Sequence, residues 1–445
     1  MRDVRAQFFL TFAVLGTVLP YAPVFFREAG LSQTQVGLAF ALWSAAQILS
    51  PVLVAWAADT RVDPRRLVLL CMAGSAASLL ALGFARGVGP VLGVWAAYCL
   101  ASIPLLPLLD GIYFSYRNQH ERRGVPLPPY HRVRVWGTIG FIGPSLLLYG
   151  LLRGGMPVAG ALMSGAVLAG LAAGQARLLR DPRDLPAGFP VLPRDAARPV
   201  PLPPAAAADE GARADPPPRP GTGLPTAAAA RTLLRPNLLV FCAALFLAQM
   251  ASTAMAAFYP VYLTERVGIA VEWVGLIAQV GVVVEVFFVW GFGWVADRLG
   301  TKGVLVAGLA CVAVRLALMA AFATVPVAVG TQLFHGIHVL MMGVMPQTFL
   351  DRHAADDCRH SIQGVYVMLM GVGKAAGSLA AGPVAAHSLQ AVFGYGAALC
   401  AVAAGLALAA FRETPAARPV PPAGPSPDVD PAPGGAVTAA HPNPG

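Results

Sequence analysis

Ionisable side chains interrupt apolar runs at Asp110, Arg134, Glu285, Arg315, His335, His338 and Lys374. An ionised group at the centre of a bilayer costs at least ~2.5–3.5 kcal/mol, so residues of this kind are expected to face a shared interior and pair. Glu285 falls midway along "GVVVEVFFVWGFGWVADRLG", residues 281–300. A carboxyl group removed from water favours its protonated form, and a cation beside it favours the charged one. Glu285 can therefore carry a proton, and a change in its distance from Arg315 would couple protonation to conformation. His335 and His338 are three residues apart, on one helix face, and imidazole can relay the same proton. The alternative is a set of polar groups that only hold helices together.

These residues need helices to position them. Of 445 residues, 57% are hydrophobic and 12% charged, and the mean hydropathy is +0.65. An ordinary soluble domain carries roughly 25% charged residues, so the composition implies an integral membrane protein. Runs long enough to cross a bilayer lie near 7–26, 34–58, 66–85, 90–115, 134–152 and 157–178. Six more lie near 237–263, 273–296, 303–323, 325–349, 361–385 and 389–411. The first of these is too long for a signal peptide and lacks a small-x-small cleavage site. The expected organisation is a six-helix half at 1–180, a Pro/Ala-rich disordered linker at 181–236, a second half at 237–411 and a disordered tail at 412–445. Basic clusters such as Arg61, Arg65 and Arg66, or Arg117, Arg122 and Arg123, place both termini, the linker and the tail in the cytoplasm.

The halves repeat. A shift of 238 positions carries Val36-Gly37-Leu38 onto Val274-Gly275-Leu276, Trp56 onto Trp294, Asp59 onto Asp297, and Gln47 onto Glu285. A parallel repeat of two six-helix units is a transporter plan with its site at the midplane.

Other chemistry is excluded or unsupported. The net charge of +9 comes from short loops between spans, so nucleic acid is not the expected partner. The six cysteines are scattered and have no metal-ligand spacing. "GVGKAAG" at 371–377 lacks most of a phosphate-binding loop, and "DRHAADDCRH" at 351–360 repeats no ligand spacing. No hydrolytic triad, cofactor or metal is called for.

The loop "GWVADRLGTK" supplies Gly293, Asp297, Arg298, Gly300 and Lys302, and a degraded copy, "AWAADTRVDPRR", keeps Asp59. This G-x-x-x-D-R-x-G-x-K pattern resembles the major facilitator superfamily, and the resemblance covers all twelve spans. It implies an all-α membrane fold of two six-helix halves, with these loop residues forming a cytoplasmic gate. A narrower likeness is to the phenylpropionate permease, lactose permease and nucleoside–proton symporter group. It rests on Glu285 in the eighth span, "CVAVRLALMAA" with Arg315, "LFHGIH" with His335, "IQGVY" at 362–366, and "IPLLPLLDG" followed by "YHRVRVWGTIGF" with Asp110, Arg134 and Trp136. That likeness implies proton coupling through Glu285, Arg315 and His335, and substrate contact by an Asp110–Arg134 pair. His338 stands where the lactose permease has a second acid, and Lys374 has no counterpart in the phenylpropionate branch.

The expectation is a monomeric, proton-coupled symporter of the inner membrane, in contact with lipid and importing a small organic solute. Proton coupling falls to Glu285, Arg315, His335 and His338, and substrate binding to Asp110, Arg134, Trp136, Lys374 and Gln47. The excess of cations favours an anionic cargo such as an aryl carboxylate. A proton-driven efflux antiporter and a non-transporting receptor of the same fold are the alternatives, since a fold does not set direction.

Overall fold

The computed structural model describes residues 1–60, 62–121, 128–179, 230–353 and 359–412. Side chains at 50–60, 118–119, 121, 131, 289–290, 292–293, 296–297, 351–353 and 359–361 are left aside. The described backbone is helical throughout, without strands. Helices are the local solution for apolar chain in lipid, because each satisfies its own backbone hydrogen bonds.

Ten stretches of the described residues are long and apolar enough to cross a membrane. Adding the helices Gln33–Thr60 and Glu272–Trp290 gives the twelve expected spans. The first half runs through Arg2–Glu28, Gln33–Thr60, Pro64–Phe84, Val88–Arg117, Tyr130–Arg153 and Val158–Ala176. The second runs through Pro236–Arg266, Glu272–Trp290, Arg298–Ala321, Val325–Leu350, Arg359–His387 and Leu389–Ala410. Large side chains such as Phe84, Leu146 and Phe287 are more than 60% exposed, which suits a surface bathed in acyl chains.

Two irregularities depart from uniform spans. Gly300 has φ 64°, ψ 178° inside the helix Phe292–Ala321, so the chain breaks there between the eighth and ninth spans. Only glycine takes that conformation readily, which accounts for its place in the loop motif. The tenth span is assembled from Val325–Gly330, a 3-10 turn Thr331–Phe334, His335–Val339, a π turn Leu340–Val344 and Met345–His353. Mid-span changes of helix type of this sort often mark functional positions.

Within the halves, the first span packs on the fifth and sixth, the third on the sixth, and the twelfth on the seventh and ninth. Between them, the second span packs on the eleventh and the fifth on the eighth. A shift of six spans carries second onto eighth and fifth onto eleventh, so the two seams are built from equivalent helices. The repeated Val-Gly-Leu packs on the eleventh span in the first copy and on the first span in the second. A Cβ on Gly37 would lie 2.6 Å from the Ser378 carbonyl oxygen, and one on Gly275 2.5 Å from the Tyr21 hydroxyl.

At the end of the bundle away from Met1, the halves are also bridged by polar contacts. Arg27 Nε donates to Glu265 Oε1 at 2.7 Å and Gln33 Nε2 to Glu265 Oε2 at 3.1 Å. The rings of Tyr149 and Trp273 meet edge to face, 4.8 Å between centroids. This end is closed.

Candidate functional site

The tenth span brings its two histidines towards the eighth. Gly281 makes room for the 3-10 turn: a Cβ there would lie 2.8 Å from Gln332 Oε1 and 3.0 Å from His335 Cγ. One turn further along the eighth span, Glu285 Oε2 lies 3.7 Å from His335 Nε2, with their side chains 34% and 27% exposed. Both members of the pair are therefore only partly buried. His338, stacked near His335 with ring centroids 6.0 Å apart, has its Nε2 3.0 Å from Ser252 Oγ on the seventh span. Glu285, His335, His338 and Ser252 thus lie in one row across the eighth, tenth and seventh spans.

Arg315 does not join Glu285 as expected from the sequence. It is 1% exposed, and its Nη2 donates to Gln332 Oε1 at 2.9 Å while its Nε has no partner among the described residues. The 3-10 turn is what inserts Gln332 beside it. Arg134, from the other half, makes no ion pair with Glu285 either. Their separation exceeds ion-pair distance.

Asp110 and Arg134 do not pair directly either. Tyr130 donates its hydroxyl to Asp110 Oδ1 at 2.7 Å, and the Arg134 guanidinium lies over the Phe12 ring, 4.0 Å from its centroid. Trp136 is two residues from Arg134, roughly 200° around the helix. It lies 40% exposed in a stripe with Ile139, Leu146 and Leu147, apart from the other site residues.

Lys374 and Gln47 do meet, Nζ to Oε1 at 2.8 Å, across the seam of the second and eleventh spans. At the opposite seam Gln279 Nε2 donates to Ser145 Oγ at 2.8 Å. Sequence reasoning gave no role to Tyr130, Ser145, Ser252, Gln279 or Gln332. An inventory of neutral amides and hydroxyls inside the spans, beside the charges, would have flagged them.

Of the loop residues, Arg298 stacks over Trp294 at 4.3 Å, and Lys302 Nζ donates to the Leu408 carbonyl at 2.9 Å. Both described contacts stay within the second half. Asp59 and Asp297 lie on helical backbone, but their side chains, with the surroundings of Gly293, lie outside the described residues.

The arrangement is that of a carrier: two packed six-helix halves, closed at one end, with ionisable groups in mid-span. The sequence matches the MFS_1 like family over residues 2–170 and 176–395. The chain belongs to the MFS_1 like family. This family member is a multi-pass membrane transporter of the major facilitator type. It is 30% identical over 150 residues to a probable 3-phenylpropionic acid transporter of Escherichia coli (strain K12). That match spans 33% of this chain and 37% of the relative, so it covers little more than a third of either. Its fold is like that of the nucleoside transporter NupG, with a TM-score of 0.73 and 18% identity over 93% of this chain and 99% of that one. It is also like a bacterial homologue of the human lysosomal transporter Spinster, TM-score 0.63, with 13% identity over 93% and 96% of the two chains. The relatives are transporters rather than enzymes.

Proposed function

We propose that this transporter is a proton-coupled symporter of the inner membrane that imports a small organic anion, an aryl carboxylate of the 3-phenylpropionate type. The observation that carries the reading is Glu285 in mid-span, only partly buried and 3.7 Å from His335. A proton taken up by Glu285 passes between carboxyl and imidazole, and His338 with Ser252 extends the path. Arg134, on the opposite half, changes its distance from Glu285 as the halves move and so ties protonation to conformation. Arg315 takes part through Gln332 and the turn that carries His335. Lys374, Gln47, Asp110 and Arg134 are the substrate-binding groups in this reading. An anionic cargo is supported by three mid-span cations against two acids, and by the partial match to a probable 3-phenylpropionic acid transporter.

With both termini in the cytoplasm, as the basic loops favour, the closed end faces outward and the conformation is inward-facing. Asp59, Gly293, Asp297, Arg298, Gly300 and Lys302 then belong to the opposite, cytoplasmic gate. Closing that gate while the Arg27–Glu265 end opens is the other half of the cycle.

The test is uptake of labelled 3-phenylpropionate into proteoliposomes, with proton flux recorded in parallel. Wild type should accumulate the acid down an imposed proton gradient, with protons moving in the same direction. Glu285→Gln should lose accumulation but keep exchange of internal for external acid. Accumulation retained in that variant would overturn the role of Glu285, and protons moving opposite to cargo would indicate efflux.

A further inference from the structure

Lys374 is a mid-span cation whose partner is neutral. Its Nζ donates to Gln47 Oε1 at 2.8 Å, and among the described residues no carboxylate lies within ion-pair distance of it. An amide oxygen leaves much of the ammonium charge uncompensated, whereas a carboxylate beside it would neutralise that charge. Both side chains are only partly buried.

The bond also has a mechanical position. It joins the halves at the second–eleventh seam, which is tight from there to the closed end. Residues 371, 374, 378 and 382 form one stripe of the eleventh span. A Cβ on Gly371 would lie 2.5 Å from Ile48 Cγ1, and one on Gly382 3.0 Å from Thr34 Cα. Ser378 Oγ donates to the Lys374 carbonyl at 3.0 Å, one turn from the ammonium-bearing residue. Lys374 thus lies within a close-packed part of the seam, with tight contacts on either side of it.

We propose that the Gln47–Lys374 hydrogen bond is a clasp between the halves, and that the cargo's carboxylate opens it by taking Lys374 away from Gln47. The inference rests on the aryl-carboxylate reading above and adds to it the trigger. Lys374 is the anion-binding group, and Gln47 is a positioning residue that holds the cation ready and the seam shut. Binding an anion and releasing the seam become one event. A neutral amide of the same shape cannot replace Gln47 with any advantage, so it binds without loosening the seam.

The experiment uses the full chain in nanodiscs, with its native cysteines replaced by alanine and spin labels at Ser32→Cys and Ala386→Cys. These exposed positions lie on opposite halves at the closed end. Inter-label distance and calorimetric binding of 3-phenylpropionate and 3-phenylpropanamide are measured together. Gln47→Ala should lengthen the ligand-free distance and tighten binding of the acid severalfold. Gln47→Glu supplies a resident carboxylate; it should weaken the acid by about tenfold or more and keep the labels at the closed distance. Lys374→Gln retains an amide pair and should bind acid and amide equally. Equal ligand-free distances in wild type, Gln47→Ala and Gln47→Glu would overturn the clasp. If wild type binds neither compound, the aryl-carboxylate reading fails, while the ligand-free distances still decide the clasp.

Discussion

The two seams between the halves are made from equivalent helices and are chemically unlike. At one, the second span offers Gln47 and the eleventh Lys374, in contact at 2.8 Å. At the other, the eighth span offers Glu285, the residue that the internal repeat sets against Gln47, and the fifth offers Arg134. There acceptor and cation are apart: Arg134 rests on Phe12 and Glu285 faces His335. A neutral amide can hold a lysine permanently without a change of charge state. A carboxylate that must gain and lose a proton cannot be pinned to an arginine throughout the cycle. In the proposed cycle one seam is thus suited to respond to an anion and the other to a proton. At the same end Gly37 packs on the eleventh span and Gly275 on Tyr21 of the first span, and the neutral Gln279–Ser145 bond holds the second seam where the charged pair does not.

The largest effect should come from filling that glycine position. In Gly37→Leu the new Cβ would meet the Ser378 carbonyl oxygen at 2.6 Å and Gly382 Cα at 3.0 Å, both backbone. Overpacking costs ~1–3 kcal/mol even where side chains can yield, and backbone yields least. The closed end should be held apart, seen as a longer Ser32–Ala386 label distance and loss of uphill uptake. Gly275→Leu meets the ring of the buried Tyr21, hydroxyl first, which is side chain rather than backbone. It should do less, and an equal effect at the two glycines would remove the mechanical contrast between the seams.

Next is Ser145→Ala, which leaves the Gln279 amide without its one described partner. Interhelical hydrogen bonds in membranes average ~0.6 kcal/mol, while an orphaned buried polar group costs ~1–3 kcal/mol. A loss of about 1 kcal/mol in stability is expected, read as a lower melting temperature in detergent, with substrate selectivity intact. A change in the preference for acid over amide would mean that this seam, too, senses cargo. Smaller again is Arg27→Gln. That ion pair is about one-third exposed on each side, and such pairs contribute ~0.2–1 kcal/mol and weaken with salt. The variant should shift the label distance slightly at low ionic strength and not at all in high salt.

The architecture was legible in the sequence because lipid makes hydropathy nearly sufficient. The twelve runs follow from it, while the repeat is read from residue identities at a fixed shift and the glycine after the eighth span from the resemblance of the loop motif. The charged residues were legible for the same reason, since each breaks a costly rule. Their partners were not. Whether Glu285 meets Arg315 or His335 depends on how far the tenth span turns, and that span changes helix type on either side of His335. Gln332 captures Arg315 by virtue of that local winding, and Tyr130 captures Asp110 from one turn before Arg134. Trp136 shows the reverse error: a motif placed it at the site, while its rotation on the helix carries it to the exposed face.

The smallest expected effect lies outside both seams and separates their behaviour from general acid sensitivity. Asp63 caps the third span, accepting from the Arg65 backbone N–H at 2.9 Å ahead of Pro64. Hydrogen bonds from the Arg65 side chain, with the backbone bond and nearby charges, hold its carboxyl below the usual aspartate range. A folded-state value below the unfolded one adds stability above the ordinary aspartate pKa of about 3.9 and loses it as pH falls through the folded value. Wild type should therefore melt earlier as the pH drops below about 4. Asn is as good a cap as Asp, so Asp63→Asn should keep the helix end but flatten that part of the acid slope. The label distance at the closed end should be the same in both proteins across this range. If it moved with Asp63, part of any proton response attributed to Glu285 would belong to the loop, and the division of labour between the seams would no longer account for it.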